Sequence, residues 1–113
     1  MSLPIRSISS NFAVVGQLVA ADMATVVALG FKTVINNRPD LEGGPDQPTS
    51  ATMQVAAEAA GLNYVYLPVV SGAYTPVQIQ SMRDALDAAA QPVLAFCRSG
   101  ARSSQLFMPA QPT

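Results

Sequence analysis

The chain has 113 residues, half of them hydrophobic and only 12% charged, which excludes a disordered polymer. Its net charge of -1 offers no basic excess for non-specific nucleic-acid binding. With no histidine and one cysteine, it has no Cys–His pair, Ser–His–Asp triad, His-containing metal site, CxxC pair or internal disulfide.

The length predicts one domain spanning 1–113. Arg6 followed by Phe12 to Ala21 loosely mimics a signal peptide, but Gly16 and Gln17 interrupt the apolar stretch. No apolar run nears the roughly 20 residues of a membrane span, so the expectation is a cytoplasmic protein without membrane association. A first strand is predicted over Phe12 to Val15. Asp22 to Leu29 then places Met23, Val26 and Val27 on one helical face, Gly30 stops the helix, and Phe31 to Ile35 reads as a strand. The pattern repeats. Ala51 to Ala60 aligns Met53, Ala56, Ala57 and Ala60, Gly61 stops it, and Leu62 to Leu67 is the next strand. In the third helix Thr75, Pro76 and Gln78 match N-cap, N1 and N3 of a capping box, and Ile79, Met82, Leu86 and Ala89 recur at helical spacing. Gln91-Pro92 ends it, and Val93 to Phe96 has the size of a fully buried strand. The order β-α-β-α-β-α-β with a final helix implies an α/β fold, a central mostly parallel sheet flanked by helices.

The long polar connection from Asn36 to Thr49 has the character of a functional loop. The more informative segment is Cys97-Arg98-Ser99-Gly100-Ala101-Arg102-Ser103, placed where a buried strand turns into a helix. Ligands bind at such strand ends, and the inward amides of the turn together with the helix N-terminus favour an anion. Cys97 starts the turn, so its thiolate is favoured too. Arg98, Ser99, Gly100 and Ala101 form the anion-binding loop, with Gly100 allowing positive φ. Arg102 offers a two-pronged guanidinium, and Ser103 can donate a hydroxyl to the thiolate. The alternative is a buried packing cysteine with surface arginines. Two of only five arginines lie in this short loop, which favours the nucleophile.

Cys-x-x-Gly-x-Arg-Ser resembles the anion loop of cysteine-dependent phosphatases and rhodanese sulfurtransferases. The wider chain is similar to the phosphatase-like domain of beta-lactamase-hydrolase-like proteins. The stretches that carry this are Gly30 to Asp40, Leu67-Pro68-Val69 and Pro92 to Gly100. The resemblance implies a dual-specificity-phosphatase-like fold and sulfurtransferase or phosphatase activity, with a sulfur dioxygenase domain as a fused partner in some members.

Phosphatases of this type place five residues between cysteine and arginine, and rhodanese-like enzymes four. Here there are four, which shortens the loop by about 3.5 Å of chain. Phe96 stands where the phosphatase histidine belongs, and the stretch Val69 to Tyr74, matching the acid loop, has no carboxylate. Asp40 and Glu42 are substitutes on the other loop. The favoured expectation is therefore sulfur transfer through a Cys97 persulfide from a small anionic or persulfide donor, with no cofactor or metal. Phosphate-ester hydrolysis through a phosphocysteine is the alternative, and a non-catalytic anion- or partner-binding domain a second one. Arg38 either binds a second anionic group of the substrate or pairs with Asp40, and Asp40 has Arg102 as another partner. Tyr64, Tyr66 and Tyr74 are candidates for the pocket mouth, with strand packing preferred for the first two. Met23, Met53 and Met82 read as core. Pro109 and Pro112 are expected to break the last helix after Met108, leaving a C-terminus either trimmed or covered by a partner.

Overall fold

A computed structural model describes residues 3–110. Five strands form one sheet in the order β1-β2-β5-β3-β4. They are β1 (Arg6–Ser9), β2 (Phe12–Val15), β3 (Thr33–Asn36), β4 (Asn63–Tyr66) and β5 (Val93–Phe96). β2, β5, β3 and β4 run parallel, while β1 lies antiparallel on β2 with a register irregularity between Ser7 and Ser9. The sheet is thus the mostly parallel one expected. β1 is an addition that the sequence reading missed, because its half-exposed residues carry no apolar alternation.

The helices are α1 (Met23–Ala28), α2 (Ser50–Ala59), α3 (Pro76–Ala88) and α4 (Ala101–Ala110). A short 3-10 turn over Ala20–Asp22 leads into α1. The two predicted stops hold: Gly30 and Gly61 have φ of 95° and 89°, conformations a side chain would disfavour. The α3 capping box forms as read, with Thr75 accepting from the Gln78 amide and Gln78 accepting from the Thr75 amide.

Strand alternation sorts the core into two layers. Phe12, Val14, Ile35, Val93 and Ala95 face α3 and α4, meeting Met82, Leu86, Leu106 and Phe107. Ala13, Val15, Val34, Leu94 and Phe96 face α1 and α2, meeting Met23, Val26, Met53 and Ala57. The three methionines are buried as expected. Val27 is not; it is 40% exposed, because α1 has only six residues and turns a narrow face inward.

Pro109 does not end α4, contrary to the expectation. It sits next to the last helical residue, where its missing N–H removes a single ladder bond, and its carbonyl accepts from Arg83 Nη2 at 2.9 Å. Pro112 lies outside the described residues. Among the described residues no helix is long and apolar enough to cross a membrane.

The sheet order positions the site. β2 and β3 lead to helices on one face, and β5 lies between them but leads to α4 on the other. Connections that part in opposite directions leave a crevice at the carboxyl ends of the strands.

Candidate active site at the end of β5

Cys97 directly follows β5 and is 1% exposed. The alternative of a buried packing cysteine therefore holds as to burial, but the surroundings are polar. The Gly100 amide donates to Sγ at 3.1 Å. Burial pushes the thiol's pKa up, but the amides of Ser103 and Ser99, the Ser103 hydroxyl and the Gly100 amide outweigh it, and it falls below the ordinary 9.0. Gly100 has φ of 90°, and a Cβ there would lie 3.3 Å from Val15 backbone. The turn is thereby pressed onto the end of β2, and the Gln17 amide donates to the Arg98 carbonyl at 3.2 Å.

Ser103 is fully buried, and its hydroxyl donates to Asn37 Oδ1 at 2.8 Å. A hydroxyl has one proton, so the thiolate competes with Asn37 for it. Asn37 Nδ2 is held by the Leu67 carbonyl at 3.0 Å, which keeps Oδ1 turned to Ser103. While Cys97 is a thiol the Ser103 hydroxyl is held by Asn37, and the thiolate draws on the loop amides and competes for that hydroxyl.

Arg102 is 8% exposed. Its Nη1 and Nη2 grip Glu42 end-on, at 2.9 Å to Oε2 and 3.0 Å to Oε1, and Nη1 also reaches the Val69 carbonyl at 3.0 Å. Glu42 accepts from Arg38 Nε at 3.0 Å as well, and Arg38 Nη1 donates to Gln17 Oε1 at 3.0 Å. Burial works against the Arg102 charge, and the Glu42 carboxylate outweighs it. On Glu42 the Arg102 hydrogen bond outweighs burial, with Arg38 adding to it, and holds the carboxyl below its usual 4.5.

Neither pairing expected for Asp40 forms. Asp40 Oδ1 instead accepts the Ser50 amide at 2.7 Å, at the first residue of α2. Four residues on from Arg38, Glu42 takes the place foreseen for Asp40, because the turn at Leu41 (φ 66°) carries it back toward the guanidinium. Arg38 spends Nε and Nη1 on Glu42 and Gln17, which leaves the expected role as a direct substrate ligand to its remaining Nη2 alone. The Asn36 to Thr49 connection is thus part of the site, fastened by Tyr66 Oη, which accepts the Asp40 amide, and by Tyr64 Oη, which lies 2.9 Å from both Ser50 and Asn36. Tyr74 bonds Gln105 on α4. Arg98, Ser99 and Ala101 are exposed on the outer side of the turn. Asn37 and Gln17 went unassigned in the sequence because their partners lie far away in the chain.

A buried thiol met by loop amides, with an arginine five positions on at the head of a helix, on this sheet, defines a cysteine-phosphatase-like α/β domain. The family described as "Beta-lactamase hydrolase-like protein, phosphatase-like domain" matches residues 4–113, and the chain belongs to it. A beta-lactamase hydrolase-like protein of Agrobacterium fabrum is 36% identical over 101 residues, which is 89% of this chain and 23% of that protein. One from Xylella fastidiosa is 33% identical over 105 residues, 93% of this chain and 24% of that protein. The chain therefore spans about a quarter of the length of these relatives. Among solved structures, a Neisseria meningitidis protein classed provisionally as a phosphatase is 33% identical with a TM-score of 0.82, covering 89% of this chain and 71% of that one. Pseudomonas aeruginosa TpbA, solved with phosphotyrosine, shares the fold at 19% identity and a TM-score of 0.64, covering 87% of this chain and 55% of that one. These likenesses favour the phosphatase alternative over the sulfur transfer preferred from sequence.

Proposed function

We propose that this domain is a cysteine-dependent phosphatase acting on phosphate esters with acidic leaving groups. The observation that carries it is the Gly100 amide 3.1 Å from Cys97 Sγ, in a loop closed by the buried Arg102. The fold's likeness to phosphatases supports the same reading. The Cys97 thiolate attacks phosphorus, the S–P bond forms as the bond to the leaving oxygen breaks, and that oxygen departs with the electron pair. Water then cleaves the S–P bond, yielding inorganic phosphate and the thiol. Helix dipole and amides stabilise the charge on the transferring group. Glu42 is held as a carboxylate by Arg102 and Arg38, which makes it a poor proton donor, and Asp40 Oδ1 is tied to the Ser50 amide at the head of α2. Substrates whose leaving oxygen needs no proton, such as aryl phosphates, are therefore preferred.

Sulfur transfer is the second reading, favoured by the four-residue spacing between Cys97 and Arg102. It uses the same thiolate and likewise needs no acid. Parallel assays with an aryl phosphate and with thiosulfate plus cyanide separate the two. Cys97→Ser is expected to lower the observed activity by roughly a thousandfold or more while leaving the fold intact. Full activity in that variant overturns both readings. A thiosulfate rate with no phosphate release overturns the first.

A further inference from the structure

The guanidinium of Arg102 has three sides, and two are spent. The end-on side, Nη1 and Nη2, is taken by the two oxygens of Glu42. The remaining Nη1 proton goes to the Val69 carbonyl. The third side, Nε with the other Nη2 proton, is the parallel fork that suits an oxyanion. Nε is buried and has no partner among the described residues. An orphaned buried donor on a charged group is costly unless something in the working protein meets it.

The carboxylate that turns the fork is itself held from behind. Arg38 grips Glu42 Oε1 through Nε and is fixed by Gln17, which follows β2. Arg38 is buried, and Gly43 leaves room for it: a Cβ at that position would stand 2.5 Å from Arg38 Nη2. The chain Gln17–Arg38–Glu42–Arg102 thus joins the ends of β2, β3 and β5 into one charged relay.

We propose that Glu42 is a positioning residue, which with Arg38 behind it holds Arg102 so that the Nε–Nη2 fork faces an oxyanion bound in the Cys97–Arg102 loop. This rests on reading the loop as an anion seat, and it assigns Arg38 to orienting Arg102 rather than to binding substrate. The thiolate is met directly by the loop amides and the Ser103 hydroxyl, and the Arg102 charge favours it as well, whereas Glu42 makes no contact with the sulfur; loss of Glu42 therefore acts on anion binding and on thiol ionisation in different ways.

The test uses inorganic phosphate as the probe and the whole chain labelled with 15N. In the unmodified protein, phosphate is expected to move the Arg102 Nε–H resonance and leave that of Arg38 in place. In Glu42→Ala, phosphate binding is expected to weaken about tenfold, the worth of one charge-assisted contact, with a smaller loss in Glu42→Gln. The pH midpoint of Cys97 alkylation by iodoacetamide is expected not to rise, because the loop amides remain and a nearby negative charge is gone, whereas general loosening of the loop would raise it. Unchanged or tighter phosphate binding in a folded Glu42 variant overturns the proposal, since Glu42 would then be idle or a competitor for the seat. Joint movement of the Arg38 and Arg102 resonances overturns it as well, because phosphate would be displacing the carboxylate. That arm needs no variant and stands even if the variants do not fold. Failure of phosphate to bind the unmodified protein sinks the anion seat itself, and the proposal with it.

Discussion

The Ser103 hydroxyl donates to Asn37 Oδ1 at 2.8 Å, joining the helix of the thiol loop to the residue after β3 across 66 positions of sequence. Asn37 is fully buried, and every polar group on it is used: its amide donates to the Phe96 carbonyl, its carbonyl accepts from Val69, and its side chain bridges Leu67 and Ser103. Replacing it with Ala strands the Leu67 carbonyl and frees the Ser103 proton. Asn37→Ala is expected to cost about 2–3 kcal/mol in urea denaturation. It should also shift the Cys97 alkylation midpoint further down, since the hydroxyl then turns to the thiolate.

Cys97 itself gives a pH prediction. Its folded pKa lies below the ordinary 9.0, so the thiolate contributes stability above 9.0, and that contribution is lost as pH falls through the folded value. The melting temperature of the natural protein relative to Cys97→Ala is therefore expected to rise with pH across that window. The iodoacetamide rate should show its midpoint below 9.0. A midpoint at the ordinary value would remove the amide argument.

Glu42 acts at the other end of the scale. Held below 4.5 by Arg102 and Arg38, it contributes stability above its ordinary value and loses it as pH falls through the depressed one. Its side chain is about a quarter exposed, so the effect is screened and should shrink with added salt. Thermal melts of Glu42→Gln against the natural protein are expected to differ at neutral pH and converge in acid.

Phe107 is a control on the fold alone. It stacks on Phe12 with ring centroids 4.1 Å apart, on the face of the sheet that α4 covers. Phe107→Ala should cost about 3–5 kcal/mol by denaturation, through lost packing and a cavity. Phosphate binding and Cys97 alkylation in the folded fraction should stay unchanged.

Much of this architecture was legible in the sequence because it is local. Val93 to Phe96 and Phe12 to Val15 are continuous apolar runs of strand length, and both match the strands. Thr75-Pro76-Val77-Gln78 writes its own helix start, and Gly30 and Gly61 mark two stops. What escaped depends on partners distant in the chain. β1 exists only by pairing with β2. Glu42 reaches Arg102 across 60 positions, and the choice of Glu42 over Asp40 turns on the backbone at Leu41, which no residue pattern announces. Cys97 and Arg102 were readable as a pair because one short turn holds both. The relay behind them was not.

The side chains at 98, 99 and 101 are exposed, while the buried Gly100 among them turns its amide to the sulfur. Those three positions can therefore be repainted without disturbing the reactive atom, so they are where preference for one molecule over another is free to change. Redesign of selectivity should begin there and leave the buried machinery alone.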